Sequence, residues 1–111
     1  MASNRVVLAP MTAITDAPLR RMTQRLGAGL VVSEMTASSA LAAYKREAKR
    51  RSDGTGVRIN VVQLAGCEAR WMAEAARIAE GEGADIIDIN MGCPARMVTN
   101  IAAGSALMRD L

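Results

Sequence analysis

Short apolar runs recur along this chain, each followed by a stretch in which apolar residues fall at helical spacing. Val6-Val7-Leu8-Ala9 reads as a first strand, ended by Pro10-Met11. Thr15-Asp16-Ala17-Pro18 then marks a helix start, with Asp16 as the cap and Pro18 inside the first turn. Leu19, Met22 and Leu26 follow at i, i+3 and i+7 and form one apolar stripe, until Gly27 and Gly29 stop the helix. Leu30-Val31-Val32-Ser33 is a second strand, followed by Glu34-Met35. The spacing predicts a second helix over 39–51, with Leu41, Tyr44 and Ala48 on one face and a break at 52–56. Residues 58–64 read as the third strand. Residues 68–80 read as the third helix, with Met72, Ala76 and Ala79 inward and Gly81 and Gly83 closing it. The fourth strand is 85–90, and a last helix is predicted to begin near Gly104-Ser105.

These are four βα units, the last cut short, and alternation of this kind implies a parallel sheet with right-handed crossovers. A doubly wound sheet would carry a glycine-rich phosphate turn after its first strand, but that position reads Ala9-Pro10-Met11-Thr12. No G-x-G-x-x-G and no P-loop occurs anywhere. A barrel instead gathers its chemistry at the carboxyl ends of its strands. Glu34, Gln63, Asn90 and Cys93 all stand at such ends. The fold expected is therefore half of a TIM (β/α)8 barrel, with residues 1–111 forming one amino-terminal half-domain.

Composition narrows the chemistry. Half of the 111 residues are apolar and mean hydropathy is +0.11, which suits a chain that buries surface. With Tyr44 and Trp71 the only aromatic residues and no Phe, the core must be aliphatic, with eight methionines to fill irregular gaps. There is no histidine, so Ser-His-Asp and Cys-His catalysis fall away, as do most zinc sites, and no metal is expected. No apolar run is long enough to span a bilayer and no signal-peptide pattern opens the chain. Two cysteines, Cys67 and Cys93, without secretory features argue for reduced thiols in the cytoplasm.

The chain is organised around residues 85–98. Alternation along the strand puts Ile87 and Ile89 on one face and Ile86, Asp88 and Asn90 on the other. Met91-Gly92-Cys93-Pro94 follows. Gly92 permits unusual backbone geometry, and Pro94 pushes Cys93 towards an extended conformation. A thiol is thus held on a stiff turn just past a strand end, although an isolated free cysteine is more often a small core residue.

These residues carry a resemblance. The chain is similar to the amino-terminal half-barrel of the tRNA-dihydrouridine synthase family, in its bacterial DusB-like branch. The matching segments are Leu8-Ala9-Pro10-Met11 with Thr15-Asp16, Val32-Ser33-Glu34-Met35, and Val62-Gln63-Leu64-Ala65-Gly66. Asp88-Ile89-Asn90-Met91-Gly92-Cys93-Pro94-Ala95 follows with Val98 and Gly104-Ser105, all in family order. The last segment is the most specific. At 12–13, where the family usually has Ala-Gly, this chain has Thr12-Ala13, and Met97 stands where a second basic residue often follows Arg96.

The resemblance implies reduction of uridine to 5,6-dihydrouridine in tRNA, with FMN as cofactor and NADPH as electron donor. Cys93 matches the family's proton donor, and a thiol with a reference pKa of about 8.5 suits that role. By similarity Pro10, Met11 and Thr12 lie along the flavin ring and Gln63 hydrogen-bonds it. Asn90 orients the uracil or the flavin, and Arg96 contacts tRNA phosphate.

Plainer readings stand beside these. Gln63 alone would more often cap a loop. Asp88 reads as a structural carboxylate, Trp71 as packing, and Cys67 has no assigned role. Six cations at 45–58 against Glu47 and Asp53 give a local excess of +4 in a chain of net +3. Such a run is usually a solvated helix face, though it also suits RNA phosphates. Two further functions remain open: a non-catalytic, self-associating half-barrel scaffold, and an RNA binder acting through the basic helix. Scarce aromatic platforms count against the second. In either case a half-barrel leaves one sheet face and two strand edges uncovered, with Val61 and Ile86 among the exposed residues. A homodimer through those edges or the inner face is expected.

Overall fold

The structure is a computed structural model that describes residues 4–109. Its strands are β1 (Val7–Leu8), β2 (Leu30–Val32), β3 (Thr36–Ala37), β4 (Asn60–Ala65) and β5 (Ile86–Ile89). The helices are α1 (Ala17–Arg25), α2 (Ser38–Ala42), α3 (Arg46–Ser52), α4 (Ala69–Gly81) and α5 (Arg96–Thr99), with a 3-10 turn at Gly104–Arg109. Every pairing is parallel. The four βα units are therefore present, arranged as part of a TIM barrel. Among the described residues no helix is long and apolar enough to cross a membrane.

Strands β2 and β3 lie on the same edge of β4 and are one strand interrupted. Val32 pairs with Val61 and Thr36 with Leu64, so three residues on one side face two on the other. Ser33, Glu34 and Met35 form that bulge, which turns polar side chains towards the strand ends. Strand β4 is buried along its whole length, as expected of a central strand in a parallel sheet. Val62 and Leu64 pack into a cluster with Leu41, Ala48, Ala75, Ile78 and Ala79, joining the sheet to α2, α3 and α4. Val61 was expected to be exposed on the uncovered face, yet it is only 2% exposed, whereas its β5 partner Ile86 is 43% exposed. The flanking positions Val32 and Ile86 shield Val61 from both sides, so exposure falls on the edge strand rather than the centre.

Helix α1 departs from its apolar stripe. Asp16 caps it as expected, accepting from the Leu19 N–H at 3.0 Å. Met22 and Leu26 face solvent, however, while Arg20 is 1% exposed. The Arg20 guanidinium donates to the carbonyls of Thr15 (3.2 Å), Arg51 (3.0 Å) and Asp53 (2.9 Å). Burial pushes its pKa down from the ordinary arginine value, against the opposing pull of Asp53, Glu34 and Asp16. Three carbonyl acceptors make the buried cation tolerable, and an apolar-stripe argument does not count acceptors.

The helix predicted over 39–51 is two helices. Lys45 N–H donates to Ala40 O (3.0 Å) and Tyr44 N–H to Leu41 O (2.9 Å), the bond pair of a Schellman motif with Tyr44 in the left-handed position at φ 54°. The same pair of bonds ends α1 at Gly27, α4 at Gly83 and α5 at Ala102. Glycine marks two of these stops in the sequence. Tyr44 and Ala102 do not announce theirs. Near the end of the chain, the predicted helix at Gly104-Ser105 is a 3-10 turn.

A matched pair of substitutions tests these caps. At Gly27, φ is +107° and a Cβ would meet nothing within 4 Å, so Gly27→Ala carries only a backbone cost. It is expected to lower stability by about 1 kcal/mol. Ala102→Gly, at φ 58°, is expected to raise it by about 0.5–1 kcal/mol. Urea denaturation of the two variants measures both, and shifts of the same sign would contradict the assignment.

Candidate active site

The carboxyl ends of the strands converge on a cleft of about 370 Å³ lined by Pro10, Thr12, Met35, Gln63, Ile89, Asn90, Met91, Gly92 and Cys93. The first wall is the loop from β1 to α1. Thr15, fully buried, closes that loop: its hydroxyl accepts from the Met11 N–H at 3.0 Å and donates to the Met11 carbonyl at 3.2 Å. Beyond Thr12, the Ala13 N–H donates to Glu34 Oε1 at 2.6 Å, a charge-assisted bond that ties the loop to the bulge. Ala13 sits at φ 63°, at the position where the resembled family carries glycine. Holding a Cβ residue in this left-handed region costs energy, and the Glu34 bond offsets part of it.

The bulge also sets Gln63. Ser33 Oγ accepts from the Gln63 backbone N–H at 3.0 Å and donates to the Glu34 carbonyl at 3.0 Å. Register then places Gln63 beside Asp88. Gln63 Nε2 donates to Asp88 Oδ2 at 2.6 Å, and Gln63 Oε1 accepts from Asn90 Nδ2 at 3.0 Å. Asn90 Oδ1 accepts in turn from the N–H groups of Gly92 (3.2 Å) and Cys93 (3.0 Å), forming an Asx-type turn. On the far side of the turn, the Cys93 carbonyl accepts from the Ser105 N–H at 2.9 Å. Cys93 is a free, half-buried thiol gripped through both backbone polar groups.

Of the residues singled out in the sequence, Pro10, Thr12, Gln63, Asn90 and Cys93 come together in the cleft. Met11 lies on the same loop but is exposed and outside the lining, and Arg96 is exposed at the start of α5. Sequence reasoning gave no role to Glu34, Thr15, Met35 or Met91. Glu34 and Met35 did carry a signal, standing directly after a strand, but a bulge cannot be foreseen from alternation.

The cleft has apolar walls at Met35, Ile89 and Met91, an amide edge at Gln63 and Asn90, and a thiol at Cys93. No Lys, Arg, Asp or Glu lines it among the described residues. Such a lining suits a flat, uncharged heterocycle with donors and acceptors on its edge, and it suits a thiol that acts as a proton donor. It fits the ring of a flavin, while offering no cation for the phosphate. At the other end of the sheet a cleft of about 390 Å³ is lined by charged residues including Lys49, Asp53, Glu82 and Asp85, and holds no thiol.

Comparison with known proteins gives a consistent result. The family model described as dihydrouridine synthase (Dus) matches residues 7–111. A protein from Rhizobium leguminosarum bv. phaseoli named "Probable tRNA-dihydrouridine synthase" is 60% identical over 107 residues, covering 96% of this chain and 34% of the relative. The tRNA-dihydrouridine synthase B of Xanthomonas campestris pv. campestris is 52% identical over 107 residues, covering 96% and 32%. That of Pseudomonas putida is 51% identical over 108 residues, again covering 96% and 32%. The chain spans about a third of the length of these relatives. With the family's motifs in order and gathered at one cleft, this chain belongs to the dihydrouridine synthase family.

Proposed function

We propose that this chain forms the amino-terminal half of the catalytic barrel of an enzyme that reduces uridine to 5,6-dihydrouridine in tRNA, with FMN as cofactor and NADPH as electron donor. Bound flavin would supply the hydride to one carbon of the uracil C5–C6 double bond. The residues of this chain bind and orient the ring and supply a proton. The Pro10–Thr12 loop and the Gln63 amide hold the flat ring, and Asn90 orients the heterocycle. Cys93 gives its Sγ proton to the other carbon, and the resulting thiolate takes a proton back from solvent. Arg96, exposed beside this turn, contacts tRNA phosphate, and a tRNA substrate places the enzyme in the cytoplasm. The observation that carries the reading is the Cys93 thiol, fixed beside Gln63 and Asn90 in a cleft without charged walls.

In the full-length enzyme, Cys93→Ala is expected to leave flavin reduction by NADPH intact and to cut dihydrouridine formation by at least about 100-fold. Unchanged dihydrouridine formation by the alanine enzyme would overturn the assignment.

The 111-residue chain taken alone is proposed to self-associate. Among the described residues, strands β1 and β5 each pair on one side only, and Val6, Val7, Ile86 and Ile89 on or beside them are exposed. Edge strands with exposed apolar side chains favour pairing with another copy. Sedimentation at tens of micromolar is expected to give a dimer, whereas a stable monomer that binds no hydrophobic dye would refute it.

A further inference from the structure

Cys93 is held at both its backbone polar groups, and each hold has an anchor that does not line the cleft. On the N–H side the chain of bonds runs back from Cys93 through Asn90 and Gln63 to Asp88. An ionised carboxylate only accepts hydrogen bonds. The Gly92 and Cys93 N–H groups can only donate, so Asn90 gives them Oδ1 and turns Nδ2 to Gln63 Oε1, which leaves Gln63 Nε2 for the Asp88 carboxylate to hold. Without an acceptor at position 88, Gln63 Nε2 loses its partner, and the amide that holds Asn90 is anchored at its oxygen alone.

On the carbonyl side the anchor is Gly104. Ser105 reaches the Cys93 carbonyl only because residue 104 has no side chain. A Cβ there would come within 2.5 Å of the Cys93 carbonyl oxygen, 2.8 Å of Val98 Cγ1 and 3.2 Å of Cys93 Cβ. Its φ of +59° adds a second reason for glycine. The Gly104-Ser105 pair, eleven residues beyond the thiol, thus has a physical task.

We infer that Asp88 and Gly104 are positioning residues for the Cys93 thiol, acting from opposite sides of the turn. The inference rests on reading Cys93 as the proton donor, but its test needs no turnover. In the chain carrying Cys67→Ser, the only remaining thiol is Cys93, and its alkylation by iodoacetamide reports how firmly the turn is held.

Asp88→Leu, which removes the acceptor at similar size, and Gly104→Ala are each expected to raise the alkylation rate at least about 5-fold with the far-ultraviolet circular dichroism retained. Asp88→Asn keeps an oxygen for Gln63 Nε2 and is expected to stay within about 2-fold of the parent. If Asp88→Leu fails to fold, Asp88→Ala takes its place. Failure of both to fold, or labelling of both folded anchor variants at the parent rate, would overturn the inference, because the residues would then serve stability or nothing. Dihydrouridine formation that survives Cys93→Ala would sink the functional reading while leaving the labelling result standing.

Discussion

The bond from Gln63 to Asp88, continued from Gln63 to Asn90, joins the buried centre of the sheet to the turn that carries the thiol. It exists because β4 and β5 pair in one register, with Val61 against Ile86, Val62 against Ile87 and Gln63 against Asp88. In a parallel pair, opposed residues share a face, so a slip by one residue would move Asp88 away from the amide and expose Ile87. The apolar cluster on the helix side resists that slip: Val62 and Leu64 are locked against α2 and α4, and Ile87 packs on the same cluster. Hydrophobic packing thus sets the register, and the register sets the polar chain that ends at Cys93.

A second constraint positions the opposite wall of the cleft. The bulge at Ser33–Met35 lets one strand do two things: Ser33 secures the Gln63 backbone and Glu34 secures the Ala13 amide. Below it, Arg20 binds the loop before α1 to the end of α3 through backbone carbonyls alone. Removing it would leave three carbonyls without this donor, the Thr15 carbonyl in a buried setting. Glu34 and Arg20 brace loops rather than strands, as a site assembled from strand ends requires.

Much of this was legible in the sequence, for reasons that can be named. The strands are short apolar runs bounded by breakers. Asp16 and Pro18 gave the start of α1, and Gly27 and Gly83 gave true helix stops because they hold left-handed residues. The Gly-Cys-Pro turn announced the thiol. What stayed hidden involves groups that pattern does not weigh. Tyr44 ends a helix in a conformation usually left to glycine, so its stop was invisible. Arg20 is inward because backbone oxygens await it, while the apolar Leu26 at the end of the same helix is 82% exposed. Val61 is covered by its own cross-strand neighbours. Asp88 was read as structural, and only distances reveal that its bonds lead to the turn that carries Cys93.

The central claim is that this chain, by itself, holds the Cys93 turn through the Asn90 side chain. Amide hydrogen exchange of the isolated chain tests it directly. The Cys93 N–H is expected to exchange at least about tenfold more slowly than in an unstructured chain, together with the ladder amides of β4. Exchange of Cys93 at the unprotected rate while Val62 and Leu64 remain protected would contradict the account, since the sheet would then be formed without holding the thiol.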